Sequence, residues 1–142
     1  MNSNQIIKDL EELEGFKPYA YRDSLGIWTI GYGINVDKDH GGGITEEESE
    51  MLLLNRLNTK IEELDTAISW WRMLDDVRQD VIVEMAYQLG VQGLLDFNKF
   101  LAYAKAKQYD LAAGEMLNSL WAQQTPERAK MLSQRFATGK VE

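Results

Sequence analysis

The strongest constraint on the fold is a change, and then a return, in the spacing of apolar residues along the chain. Ile6, Ile7, Leu10 and Leu13 recur at the three- and four-residue intervals of an amphipathic helix, and Gly15 stops it. The following segment loses that period. Tyr19, Tyr21 and the run over residues 27–34 (IWTIGYGI) favour strands, and Asp23-Ser24-Leu25-Gly26 between them reads as a tight turn. From Thr45 onward the helical period returns and persists to Gly139. One short β segment held between helices predicts a mostly helical α+β fold. It comprises a small N-terminal lobe with an antiparallel sheet, a connecting helix and a helical C-terminal lobe. The 142 residues form one domain, with the lobes at about residues 1–60 and 61–142.

Helix ends are marked by capping chemistry. Asn2 caps the first helix with Gln5 three residues on, and Thr45 opens the second with Glu48 at the capping-box position. That second helix carries Met51, Leu52, Leu54, Leu57, Ile61, Leu64 and Ile68, long enough to connect the lobes. Asp75 caps a segment that stops at Gly90, and Asp96 and Asp110 read as caps of two more helices. Thr125-Pro126 opens the last helix, which runs to Gly139.

Composition removes several chemistries. There is no cysteine and a single histidine, His40, which excludes disulfides, thiol nucleophiles and sites needing two imidazoles. No apolar run approaches the roughly 20 residues a bilayer span needs. Residues 1–5 (MNSNQ) lack the charged start of an export leader, so synthesis and retention in a cytoplasm are expected. The net charge of −8 is concentrated in residues 1–65, with 14 acidic and 6 basic side chains. Residues 66–142 carry 9 of each. An acidic chain without a basic stripe argues against nucleic acid as a partner and against membrane binding by bulk charge.

Glu14 is the first candidate for chemistry. A carboxylate at a helix C-terminus faces the negative end of the helix dipole, an effect of about 0.3–1 kcal/mol that favours the protonated acid, although an ordinary surface glutamate fits this position equally by itself. Asp23, nine residues on, opens the hairpin turn, and Thr29 follows on the next strand. A helix end, a turn and a strand can bring these three around one groove. Two carboxyl groups in environments that push their protonation apart are the working parts of a glycosidase.

The exact residues extend this reading. Glu14-Gly15-Phe16, Tyr21-Arg22-Asp23-Ser24-Leu25-Gly26 and Trp28-Thr29-Ile30-Gly31-Tyr32-Gly33 closely resemble the active-site segment of the T-even phage lysozymes, a glycoside hydrolase family. The resemblance continues through Asp75-Asp76-Val77-Arg78, Tyr87-Gln88-Leu89-Gly90 and Tyr109-Asp110-Leu111-Ala112-Ala113. It ends with the block from Trp121 through Thr125-Pro126-Glu127-Arg128-Ala129 and with Arg135-Phe136-Ala137-Thr138-Gly139. It implies hydrolysis of the β-1,4 bond between N-acetylmuramic acid and N-acetylglucosamine in bacterial peptidoglycan, with inversion at the anomeric carbon.

By motif, Glu14 resembles the general acid, Asp23 the carboxylate that activates water, and Thr29 the hydroxyl that positions it. Asn35, Tyr87, Phe100 and Glu115 align with substrate-binding positions, and Arg128 with an arginine near the acid. Tyr87 reads equally as a core aromatic on its helix, and Trp121 reads as core. The resemblance also implies a monomer that needs no cofactor, does not insert into the membrane, and reaches the wall once the host membrane is permeabilised. Two other functions fit the same blocks: a lytic transglycosylase, and a catalytically weak wall-binding or assembly module.

Three features depart from the family pattern. The stretch between Thr29 and Ile44-Thr45 is shorter, Ile34 stands where the relative carries histidine, and the chain is acidic where the relative is basic. The shortened loop, residues 37–48 (DKDHGGGITEEE), matches much of a twelve-residue calcium loop, with Asp37, Asp39 and Glu48 as candidate ligands. A glycine at position five removes one ligand of that pattern. The alternative is a glycine-rich turn whose Glu48 serves the capping box.

Overall fold

Asn2 stands in extended backbone and its side chain accepts the Gln5 N–H at 3.1 Å, so α1 (Ser3–Glu14) begins where its capping residue predicts. The computed structural model describes all 142 residues. Gly15, at φ 68°, turns the chain out of α1 and donates its N–H to the Glu11 carbonyl at 3.0 Å. That leaves Glu14 as the last helical residue.

Three antiparallel strands follow in the order β1 (Lys17–Arg22), β2 (Trp28–Gly31), β3 (Ile34–Asn35). Thr29 lies mid-sheet, opposite Tyr21 on one side and Asn35 on the other. The run over residues 27–34 is therefore not one strand. Gly31 and Gly33, at φ 64° and 68°, fold it into a turn at Tyr32-Gly33, because backbone of that sign is open to glycine and costly for other residues. A short helical turn, Lys38–His40, lies in the loop before α2 (Glu46–Ala67). The capping box at the start of α2 is reciprocal: Thr45 N–H to Glu48 Oε1 at 2.8 Å and Glu48 N–H to Thr45 Oγ1 at 3.0 Å.

The chain forms two compact units, Met1–Met51 and Leu52–Glu142, with the boundary inside α2. In the second unit, the turn Trp71–Met73 leads into α3 (Asp76–Leu95), α4 (Asn98–Lys105), α5 (Tyr109–Leu117), α6 (Leu120–Gln124) and α7 (Pro126–Thr138). The fold is the mostly helical α+β type that the spacing predicts. Its core gathers Leu64, Ile82, Met85, Leu94, Met116 and Leu132 around Phe100 and Phe136, whose ring centroids are 5.0 Å apart.

Several helix boundaries differ from expectation. Gly90 (φ 75°, ψ 158°) does leave helical geometry where a stop is expected, but a further turn of helix follows it to Leu95. Asp96 closes α3 and does not open α4, whose N-cap is Phe97. Asp110 lies in the first turn of α5, where its charge suits the helix dipole, but Gln108 is the cap. The short α6 was not anticipated; Ser119 caps it by accepting the Ala122 N–H at 3.1 Å.

Arg78 ties the start of α3 to the end of α7. Its guanidinium donates to the Phe136 carbonyl at 2.6 Å and the Ala137 carbonyl at 3.0 Å, satisfying the end of α7. It also bonds Asp75 at 2.8 Å and lies 3.6 Å from the centroid of Tyr109.

The end of α2 is held by a charged cluster with a clear pH signature. Asp65 accepts Arg72 Nε at 2.6 Å, Arg72 Nη2 at 3.0 Å and the Trp71 indole N–H at 2.8 Å. The Arg72 guanidinium, then the Trp71 indole, hold the Asp65 carboxyl below its ordinary value of 3.8. A depressed carboxylate contributes stability that is fully present above its unfolded pKa and is lost as pH falls through the folded one. Asp65→Asn should therefore melt below wild type at neutral pH, with the gap closing as the pH falls below 3.8. Thermal melts across that range test this, and a gap that does not change with pH would sink it. The effect is small, because both partners are partly exposed.

Candidate active site

The three residues singled out for chemistry lie in the first unit, each on a different local structure. Glu14 ends α1 and is exposed. Its carboxylate lies directly on the Cα of Gly33: a Cβ added there would come within 2.5 Å of Glu14 Oε2 and 2.6 Å of its Cδ. The glycine in the β2–β3 turn therefore makes room for this side chain. Gly33→Ala should displace Glu14 and strain the turn, since φ is 68°. Misplacement of a reacting group by about 1 Å can cost up to about 100-fold in rate. The expected result is a folded protein with a markedly lower kcat. Full activity in the alanine variant would show that Glu14 can shift without consequence.

Asp23 opens the hairpin turn, and only one of its carboxylate oxygens takes part in the turn. Oδ1 accepts the Leu25 and Ile27 N–H groups, each at 2.9 Å. The backbone reinforces this, with Asp23 N–H donating to the Ile27 carbonyl and Gly26 N–H to the Asp23 carbonyl, both at 2.9 Å. Oδ2 has no protein partner, so one oxygen anchors the group and the other can meet a water or substrate. Thr29, only 4% exposed, donates its hydroxyl to the same Ile27 carbonyl at 2.9 Å. Its oxygen keeps lone pairs to accept a further hydrogen bond.

The remaining candidates fare differently. Asn35 is committed to the loop: Oδ1 accepts the Asp37 N–H at 2.9 Å and Nδ2 donates to the His40 carbonyl at 3.0 Å. The calcium candidates Asp37, Asp39 and Glu48 are not drawn together, and no group of three or more His, Cys, Asp or Glu side chains forms a metal site. Asp37 is 8% exposed, and both of its oxygens are occupied by Trp28 N–H, Asp39 N–H and His40 Nδ1. The Trp28 N–H first, then Asp39 N–H and His40, hold the Asp37 carboxyl below its ordinary value against the opposing effect of burial. Glu48 serves the capping box.

In the second unit, Tyr87 is half-exposed and lines a cavity of about 590 Å³ with Arg56, Thr59, Lys60, Gln88 and Arg128. Its exposure sets the ring on an open wall and not in the core. Trp121 is core, as expected, at 4% exposure, with its indole N–H on Gln88 Oε1 at 2.8 Å. Glu115 borders a second cavity, also near 590 Å³, between α4 and α6. Phe100 backs that cavity from beneath but is 0% exposed and packed on Phe97 and Phe136. A ring closed off in this way cannot touch a substrate, so the substrate role expected of Phe100 gives way to a core role. Its contact with Phe136, far along the chain on α7, is a tertiary fact that no local pattern announces.

Two contributors were missed from the sequence. Gly33 sits in a Gly-Tyr-Gly string that read as strand, although paired glycines are themselves a turn signal. Gln88, which positions Trp121, carries no local signal at all.

The small sheet, its turn and the helix before it thus carry two carboxylates and a hydroxyl in the first unit. Comparison with known proteins supplies the class. Residues 11–138 match the Phage lysozyme family, and the chain belongs to that family. It is a hydrolase of the lysozyme type. It is 31% identical to probable T4-type lysozyme 1 of Dictyostelium discoideum, over 95% of both chains. Probable T4-type lysozyme 2 of the same organism is 29% identical, over 90% of this chain and 91% of its own. The pre-baseplate central spike protein Gp5 of Enterobacteria phage T4 is 28% identical over 91% of this chain, which spans 27% of that protein.

Proposed function

We propose that this chain hydrolyses the β-1,4 bond between N-acetylmuramic acid and N-acetylglucosamine in bacterial peptidoglycan. Glu14 is the general acid that protonates the leaving glycosidic oxygen. Asp23, through its free Oδ2, takes the proton of the attacking water, and the Thr29 hydroxyl holds that water in place. The single observation that carries this reading is the division of labour at Asp23. One oxygen is fixed by two backbone N–H groups and the other is free, beside a buried hydroxyl bonded to the same carbonyl. Such a group is aimed before substrate arrives, which is where most of a positioned base's advantage originates.

The route to the wall forms part of the same reading. The chain acts from the cytoplasmic side of a bacterial host once another agent has opened the membrane. It works as a monomer without a cofactor.

The test is clearing of outer-membrane-permeabilised Gram-negative cells, with mass spectrometry of the released muropeptides. Hydrolysis yields reducing-end muramic acid that has gained one water. Anhydro-muramic acid would move the chain to the transglycosylases. A folded protein that binds walls without clearing them would leave a binding module.

A further inference from the structure

One peptide group joins the parts of the proposed water site. The carbonyl of the Ile27–Trp28 peptide accepts both the Asp23 N–H and the Thr29 hydroxyl, each at 2.9 Å. The N–H of that same peptide, on Trp28, donates to Asp37 Oδ2 at 3.1 Å. A peptide is a rigid plane, so whatever fixes its N–H also aims its carbonyl. A carboxylate acceptor makes that bond charge-assisted, and polarisation along the peptide strengthens the bonds its carbonyl accepts.

Asp37 is built to hold this position. Its Oδ1 accepts the Asp39 N–H at 3.0 Å and Oδ2 faces His40 Nδ1 at 3.2 Å. Its own N–H donates to Asn35 Oδ1 at 2.9 Å, and its carbonyl accepts the His40 and Gly42 N–H groups at 3.2 and 2.8 Å. Asn35 in turn lies opposite Thr29 in the sheet. Gly42 leaves space for the Asn35 side chain, which a Cβ at that position would strike. A turn-forming aspartate needs only the bond to the residue two positions on. The bond to Trp28, nine residues back, lies outside that local requirement.

We propose that Asp37 is a positioning residue for the hydrolysis: its carboxylate locks the Ile27–Trp28 peptide and thereby orients Asp23 and the Thr29 hydroxyl. The inference rests on the reading that those two groups handle the attacking water.

The test measures kcat and KM on soluble, uncross-linked peptidoglycan strands, together with melting temperature and the Trp28 backbone amide proton resonance. Asp37→Ala should lower kcat by about 10- to 100-fold with KM unchanged, the scale of a misplaced reacting group. Its Trp28 amide proton should move upfield. Asp37→Asn keeps an acceptor for that N–H and should recover most of kcat and part of the shift. If the alanine variant fails to fold, Asp37→Ser replaces it, since a serine hydroxyl is too short to reach Trp28. The inference is overturned if kcat survives loss of the Trp28 shift, if the unfolded fraction alone accounts for the loss, or if asparagine rescues nothing. Asp23→Asn and Thr29→Ala are measured alongside. Full activity in those two would remove the water-site reading itself, while the Trp28 resonance would still report whether Asp37 holds the peptide.

Discussion

Glu14→Gln should lower turnover by about 10²–10⁴-fold, or more if Glu14, Asp23 and Thr29 act as a unit, while leaving the melting temperature where it was. Glutamine keeps the shape of the side chain and its contact with Gly33, but has no proton to give the leaving oxygen. Glu14 is exposed at the end of α1 and has no salt-bridge partner, so loss of its charge leaves no buried group stranded. A drop in kcat with unchanged stability assigns the residue to the reaction. A variant that still clears walls would remove Glu14 as the acid and with it the proposed mechanism. In that case the exposed carboxylate at the helix end would be a surface group.

Phe100→Ala should destabilise the second unit by about 3–5 kcal/mol, the usual cost of emptying a fully buried aromatic site. Phe100 is 0% exposed, with Phe136 at 5.0 Å and Phe97 at 6.4 Å between ring centroids. The fraction that remains folded at low temperature should keep its KM, because the ring touches core and not substrate. Denaturant melts and Michaelis kinetics on the same preparation separate the two roles. A raised KM without lost stability would restore the substrate role that sequence similarity suggests.

How far the sequence reaches can be judged from particular residues. Local chemistry was legible wherever a few neighbouring residues decide it. Asn2 and Gln5, Thr45 and Glu48, and Asp75 and Arg78 bond as their spacing predicts. Asp23 bonds the turn N–H groups that an aspartate at that position is expected to find. Helix stops were only partly legible: Gly90 breaks helical geometry where a stop is expected, but the further turn after it has no local signal. The same limit applies to Asp96 and Asp110, where charge near a helix start could be read but the capping residue could not.

The sequence by itself determined the class of fold and the order of most of its elements, while its resemblance to a known family supplied the three residues on which the chemistry is proposed to rest. It could do so because capping, period and turn formation act over three to five residues. Only the tertiary structure decided what distant residues do to one another. It took Phe100 out of the substrate set and into the core, and it committed Asn35 to the loop. It turned Asp37 from a calcium candidate into the acceptor of Trp28, and it placed Gly33 beneath Glu14. In each case the deciding contact joins residues that no local periodicity relates, and burial or occupancy of hydrogen-bonding groups is a property of the packed chain.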